Sequence, residues 1–143
     1  MPDIYHRIWI RKPVEEVFLA ISTLSGLRGW WNAQAHGDPT PGGQLIFPFK
    51  ETSFYMRVRE SHPPDRVRWL CEGGPDEWVG TTLHFQVSQD PDGESVLAFA
   101  HRGWWEETPL FGHCSLKWAQ FLVSAKHLLE TGKGEPYPED AEV

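Results

Sequence analysis

Across residues 44–102 the chain carries successive runs in which apolar and polar residues alternate, and nothing else in the sequence constrains the fold as much. A period of two places every second side chain on one face of a sheet, and a slip of one residue would exchange the faces. Three connections can therefore be tested for a common register. If residues 50–53 form a tight connection, Phe49 faces Phe54, Phe47 faces Met56 and Leu45 faces Val58. The turn His62-Pro63-Pro64-Asp65 sets Val58 against Trp69 and Met56 against Cys71. Asp90-Pro91-Asp92-Gly93-Glu94 suits a type I turn closed by a glycine bulge, which places Val87 opposite Leu97, Phe85 opposite Phe99 and Leu83 opposite His101. Every pairing keeps apolar side chains together, so the runs predict an antiparallel meander with one buried face.

The flanking segments complete the outline. Residues 4–11 alternate and predict a first strand. Pro13 in a first turn, Glu15 and Glu16 at the positive end of the dipole, and a stripe of Val14, Val17, Phe18 and Ile21 predict a helix. A second short helix spans 24–31, limited by Gly26 and Gly29. Pro39, Pro41 and the Gly42-Gly43 pair make 32–43 a loop. Thr108 and Pro109 suit the N-cap and first turn of a long helix, whose apolar positions run at helical spacing from Phe111 to Leu129 and which Gly132 ends. Residues 1–132 then form one ligand-binding domain, and the acidic, proline-containing 133–143 a loose tail. The order predicts an α+β fold: a curved antiparallel sheet of about six strands, two short helices after the first strand, and a long C-terminal helix as the only element long enough to cover the apolar face.

Composition narrows the function classes. A chain of 143 residues is one domain and can build a core without disulfides or metal. Its 13 Lys+Arg against 20 Asp+Glu give a net charge of −7, which disfavours nucleic acid as a partner. No apolar run is long enough to span a membrane, and charged residues interrupt the N-terminal segment where a signal peptide would be unbroken. Cys71 and Cys114 form no CxxC, so a reducing cytoplasm is the expected home. His113 and His127 lie about 21 Å apart along the long helix at 1.5 Å per residue, too far to share a metal, and no cofactor-binding motif is present. The 8 Trp, 8 Phe and 3 Tyr exceed what a small core needs and point to a lined pocket or an interface.

Several segments, spread in order over nearly the whole chain, carry a likeness. They are Pro13-Val14-Glu15-Glu16-Val17-Phe18, Gly29-Trp30-Trp31, Pro41-Gly42-Gly43, Glu77-Trp78-Val79-Gly80-Thr81, Phe99-Ala100-His101-Arg102-Gly103-Trp104, and Ser115-Leu116-Lys117 leading into Leu129-Glu130-Thr131-Gly132. Together they resemble the START-like (SRPBCC) superfamily with its helix-grip fold, and within it the branch of heat-shock-protein ATPase activator homologue-like proteins. The resemblance implies a cavity between sheet and long helix that often holds an apolar small molecule. Eukaryotic activators of that branch carry a separate N-terminal chaperone-binding domain, for which this length leaves no room. The cavity residues of the superfamily's cyclases find no position-by-position match.

The expected site follows from the inward parity of the strands, the apolar stripe of the long helix and the tryptophans that separate segments bring towards the same space. Trp31, Phe47, Met56, Trp69, Phe85, Phe99, His101, Trp104, Trp118 and Leu122 are its candidate ligand-binding residues. The leading expectation is binding of an apolar or aromatic, lipid-like or polycyclic, molecule without a cofactor. His101 shares the face of Leu97 and Phe99, so a cyclase- or hydrolase-type enzyme using it as acid or base is the alternative, set against a histidine satisfied by backbone or water. A chaperone- or stress-linked interaction module is a third. Trp9 and Trp105 fall on outer surfaces and favour a homodimer. Arg57, Arg59, Arg66 and Arg68 fall on the outward face of one hairpin, with Arg59 opposite Arg68. They form either an anion or partner site or a face neutralised by neighbouring acids, and the net charge of −7 favours the second.

Overall fold

In a computed structural model that describes all 143 residues, the strands are β1 (Ile4–Ile10), β2 (His36–Gly37), β3 (Gln44–Pro48), β4 (Ser53–His62), β5 (Arg66–Gly73), β6 (Thr82–Gln89) and β7 (Ser95–Arg102). They form one antiparallel sheet in the order β1-β7-β6-β5-β4-β3-β2. The helices are α1 (Val14–Ser22), α2 (Leu24–Trp30) and α3 (Pro109–Thr131), all packed against the concave face. The fold is α+β and of the helix-grip type. The sheet has one strand more than about six, because the two-residue β2 forms inside the stretch read as a loop.

Registers set by turn chemistry hold. Val58 pairs with Trp69 and Met56 with Cys71 across β4–β5, and Val87 with Leu97, Phe85 with Phe99 and Leu83 with His101 across β6–β7. The β3–β4 hairpin differs by two residues: Phe47 opposes Phe54 and Leu45 opposes Met56. The Phe49 amide donates to the carbonyl of Thr52 at 3.0 Å, so the hairpin closes nearer β3 than a turn at 50–53 requires. A shift of two preserves parity, and the apolar face survives. Arg59 does not oppose Arg68. A bulge after Val58 puts Glu60 there instead, which replaces a like-charge pair by an opposite-charge one.

Helix ends follow their caps. The Thr108 side chain accepts from the Phe111 amide at 3.2 Å, and Gly132 closes α3 in the left-handed conformation at φ 91°. α3 does not cover the sheet alone, because α1 packs on β5, β6 and β7. Nor is the segment after Gly132 loose. Its Tyr137 amide donates to the Trp31 carbonyl at 2.8 Å and its Tyr137 carbonyl accepts from Ala33 at 2.9 Å. Ser124 in α3 accepts from the Glu135 amide at 2.6 Å while donating to Trp30 at 2.9 Å. These bonds satisfy loop backbone that composition alone would leave to water.

Candidate functional site

The inward side chains of the sheet pack mostly against one another. Ring centroids step through the core from Trp31 to Phe47 (4.1 Å), Phe47 to Trp69 (5.6 Å), Trp69 to Phe85 (4.9 Å), Phe85 to Phe99 (5.2 Å) and Phe99 to Trp118 (4.5 Å). Met56 and Leu122 are buried in the same cluster. Phe47, Met56, Trp69, Phe85, Phe99 and Leu122 therefore fill space rather than line it.

The cavity lies at one end of this core. It has a volume of about 350 Å³ and is open to solvent on one side. Three segments frame it: the β3–β4 connection from Phe49 to Phe54, the turn carrying Pro75 and Trp78, and the α3 stretch from Leu110 to Phe121. Tyr137 and Asp140 of the docked C-terminal segment close a fourth side. Of the ten expected residues, Trp31 and Trp118 line it, their rings 4.8 Å apart. Phe49, Phe54, Trp78, Phe121 and Tyr137 supply the remaining aromatic wall. The hairpin register expected from the sequence sets Phe49 against Phe54, and their rings do meet at 4.9 Å although their backbones are not paired. Trp78 left a signal as well, a tryptophan inside a Pro- and Gly-bounded turn. Tyr137 left none, because only the docked tail brings it there.

The rim is polar and balanced in sign. Lys117 pairs with Asp140 at 2.5 Å and its ammonium lies 4.8 Å from the Phe121 ring centroid, while Lys50 and Glu51 stand on the β3–β4 connection. Cys114 contributes a buried thiol whose pKa burial pushes up to about 11, which leaves it protonated and unreactive at neutral pH. No group of three His, Cys, Asp or Glu side chains converges as a metal site would need.

His101 lies behind this wall, fully buried, and does not line the cavity. Trp118 donates its indole N–H to His101 Nδ1 at 3.1 Å. An indole can only donate, so Nδ1 accepts and the ring proton is on Nε2, which donates to Thr81 Oγ1 at 2.8 Å. The Thr81 hydroxyl then gives its proton to the Trp78 carbonyl at 2.5 Å. Burial lowers the His101 pKa to about 3. A neutral imidazole with both nitrogens engaged, ringed by Trp78, Trp104 and Trp118, has no free lone pair to act as a base. Of the two readings of His101, this geometry supports the histidine satisfied by hydrogen bonds rather than the acid or base. Trp104 is buried beside it, away from the cavity.

Residues 11–130 match the family described as activator of Hsp90 ATPase homolog 1-like protein. No curated protein gives a match. Among solved structures, the chain is similar to the Aha1 dimer from Colwellia psychrerythraea, with 35% identity over 94% of this chain and 100% of that one and a TM-score of 0.86. It shares its fold with protein SSP2350 from Staphylococcus saprophyticus (15% identity over 93% of this chain and 95% of that one, TM-score 0.75). The same holds for CalU16 from Micromonospora echinospora (23% identity over 99% of this chain and 73% of that one, TM-score 0.75). The match over residues 11–130, the sheet order and the long capped helix place this chain in the activator of Hsp90 ATPase homolog 1-like family of the START-like (SRPBCC) superfamily.

Proposed function

We propose that the chain binds a flat, largely apolar small molecule in the cavity at the end of its core. One observation carries this reading: the core is packed solid along its ring ladder, yet opens into a space of about 350 Å³ walled by Trp31, Phe54, Trp78, Trp118 and Tyr137. That volume falls in the range of small-molecule sites, and ring faces favour a planar ligand. The balanced rim gives no preference for a charged one. Fluorene and 1-anilinonaphthalene-8-sulfonate are suitable probes, with quenching of tryptophan fluorescence as the signal. Leu110→Trp fills the cavity from a half-buried wall position and should abolish the quenching while leaving the fold intact. Absence of binding by either probe, or binding unchanged by Leu110→Trp, overturns the reading.

Self-association is a second reading, favoured by one observation. The similar Colwellia psychrerythraea protein is a dimer, and here Trp105 is 82% exposed, with Leu116 and Val123 exposed seven residues apart on α3. Sedimentation of the native chain and of Trp105→Gln, Leu116→Gln should show a dimer that the double variant dissociates. A monomer at all concentrations ends this reading.

A further inference from the structure

The convex face of the sheet is covered by no helix, and its charge is opposite in sign to that of the molecule. Register places its outward residues in rows. One row runs Arg7, Ala98, Gln86, Arg66 and the next Tyr5, Ala100, His84, Arg68. Arg57 and Arg59 extend the face along β4, and Arg102 extends it along β7. These six arginines meet three carboxylates: Glu72 contacts Arg57 at 3.0 Å, Glu60 contacts Arg66 at 3.2 Å and Arg68 at 3.6 Å, and Asp3 contacts Arg102 at 3.4 Å. The neighbouring acids anticipated for this face are present, but they number half the arginines. A chain of net charge −7 therefore concentrates an excess of positive charge on one surface.

The kind of residue matters as much as the sign. β1 and β4–β7 contain no lysine, so every cation on the face is a planar guanidinium, weakly hydrated and shaped for bidentate pairing with carboxylates. Tyr5 is 61% and Trp9 43% exposed along its β1 border. Arginine and aromatic enrichment with lysine depletion is the composition of protein–protein contact surfaces. Relief supports the same conclusion. Ala98 and Ala100 on β7 leave a trough between Tyr5 and Arg7 of β1 and His84 and Gln86 of β6, with Arg66 and Arg68 of β5 one strand further on.

We infer that this convex face docks an acidic segment of another protein, laid along the alanine-floored trough with its carboxylates on the flanking arginines. A second copy presenting the same face would oppose arginine to arginine, so the face is not the seam of a two-fold dimer of this chain. The inference is independent of the cavity.

A short oligoglutamate peptide tests it on the intact chain by amide chemical-shift mapping. Shifts should centre on His84, Ala98, Ala100 and Arg68, and the affinity should fall with added salt. The double variant Arg66→Gln, Arg68→Gln should weaken binding about tenfold or more. His84 gives a separate readout in the unmodified protein. It is faced by Arg68 and Arg102 on one side of the balance and by Asp3 and Glu60 on the other, and bound carboxylates should raise its pKa. Shifts confined to the cavity rim, an affinity unchanged in the double variant, or tighter binding of an oligothymidylate of equal charge would each overturn the inference.

Discussion

Trp118 donates its indole N–H to Nδ1 of His101 across 3.1 Å, tying the middle of α3 to the inner face of β7. The bond fixes the histidine tautomer, and the same indole ring forms part of the cavity wall. One side chain thus joins helix docking, the buried polar relay and the site.

Replacing that ring should be costly. Trp118 is 2% exposed, so Trp118→Ala should lose on the order of 3–5 kcal/mol of stability. Trp118→Phe keeps most of the packing but leaves Nδ1 of His101 without its donor, and should cost about 1–3 kcal/mol. Urea unfolding of the two variants separates packing from hydrogen bonding.

Acid should weaken the fold through His101. Its pKa is about 3 in the folded chain and 6.5 as the ordinary value, so between these limits the unfolded chain binds the extra proton. Stability from this group is complete above pH 6.5 and declines as the pH falls, by about 1.4 kcal/mol per pH unit within the window. His101→Gln should remove that slope. Unfolding midpoints at pH 7, 5.5 and 4.5 give the comparison, and parallel curves for the two proteins would refute it.

The docking of the C-terminal segment should depend on Gly134. A Cβ there would fall 2.5 Å from the Gly29 carbonyl oxygen and 2.8 Å from that of Ser124, both backbone atoms that cannot yield cheaply. Gly134→Ala should therefore release residues 134–141, withdraw Tyr137 from the cavity and leave the sheet registers unchanged. Limited proteolysis should cut the variant after α3 while the parent chain resists.

Both thiols should be silent in the native state. Burial raises the pKa of Cys71 and of Cys114 to about 11. Neither should react with 5,5′-dithiobis(2-nitrobenzoate) at pH 8 until denaturant is added. A ligand in the cavity should slow the reaction of Cys114 during partial unfolding and not that of Cys71, which does not line it.

The sequence by itself determined which residues of the strands face inward, where the β4–β5 and β6–β7 hairpins turn and how the long helix begins and ends. Those features depend on neighbours along the chain: a two-residue period, a proline and glycine turn, a threonine cap. Only the tertiary structure decided where the interior fills and where it opens. Strand parity turns Phe85 inward and helical spacing turns Trp118 inward, but whether a ring meets another ring or empty space depends on the depth at which α3 seats on the sheet. The cavity wall joins residues as distant in sequence as Phe54, Cys114 and Tyr137, and no local pattern encodes their meeting. The same limit applies to His101, a candidate base by parity that the indole of Trp118, reaching across from α3, holds neutral and engaged.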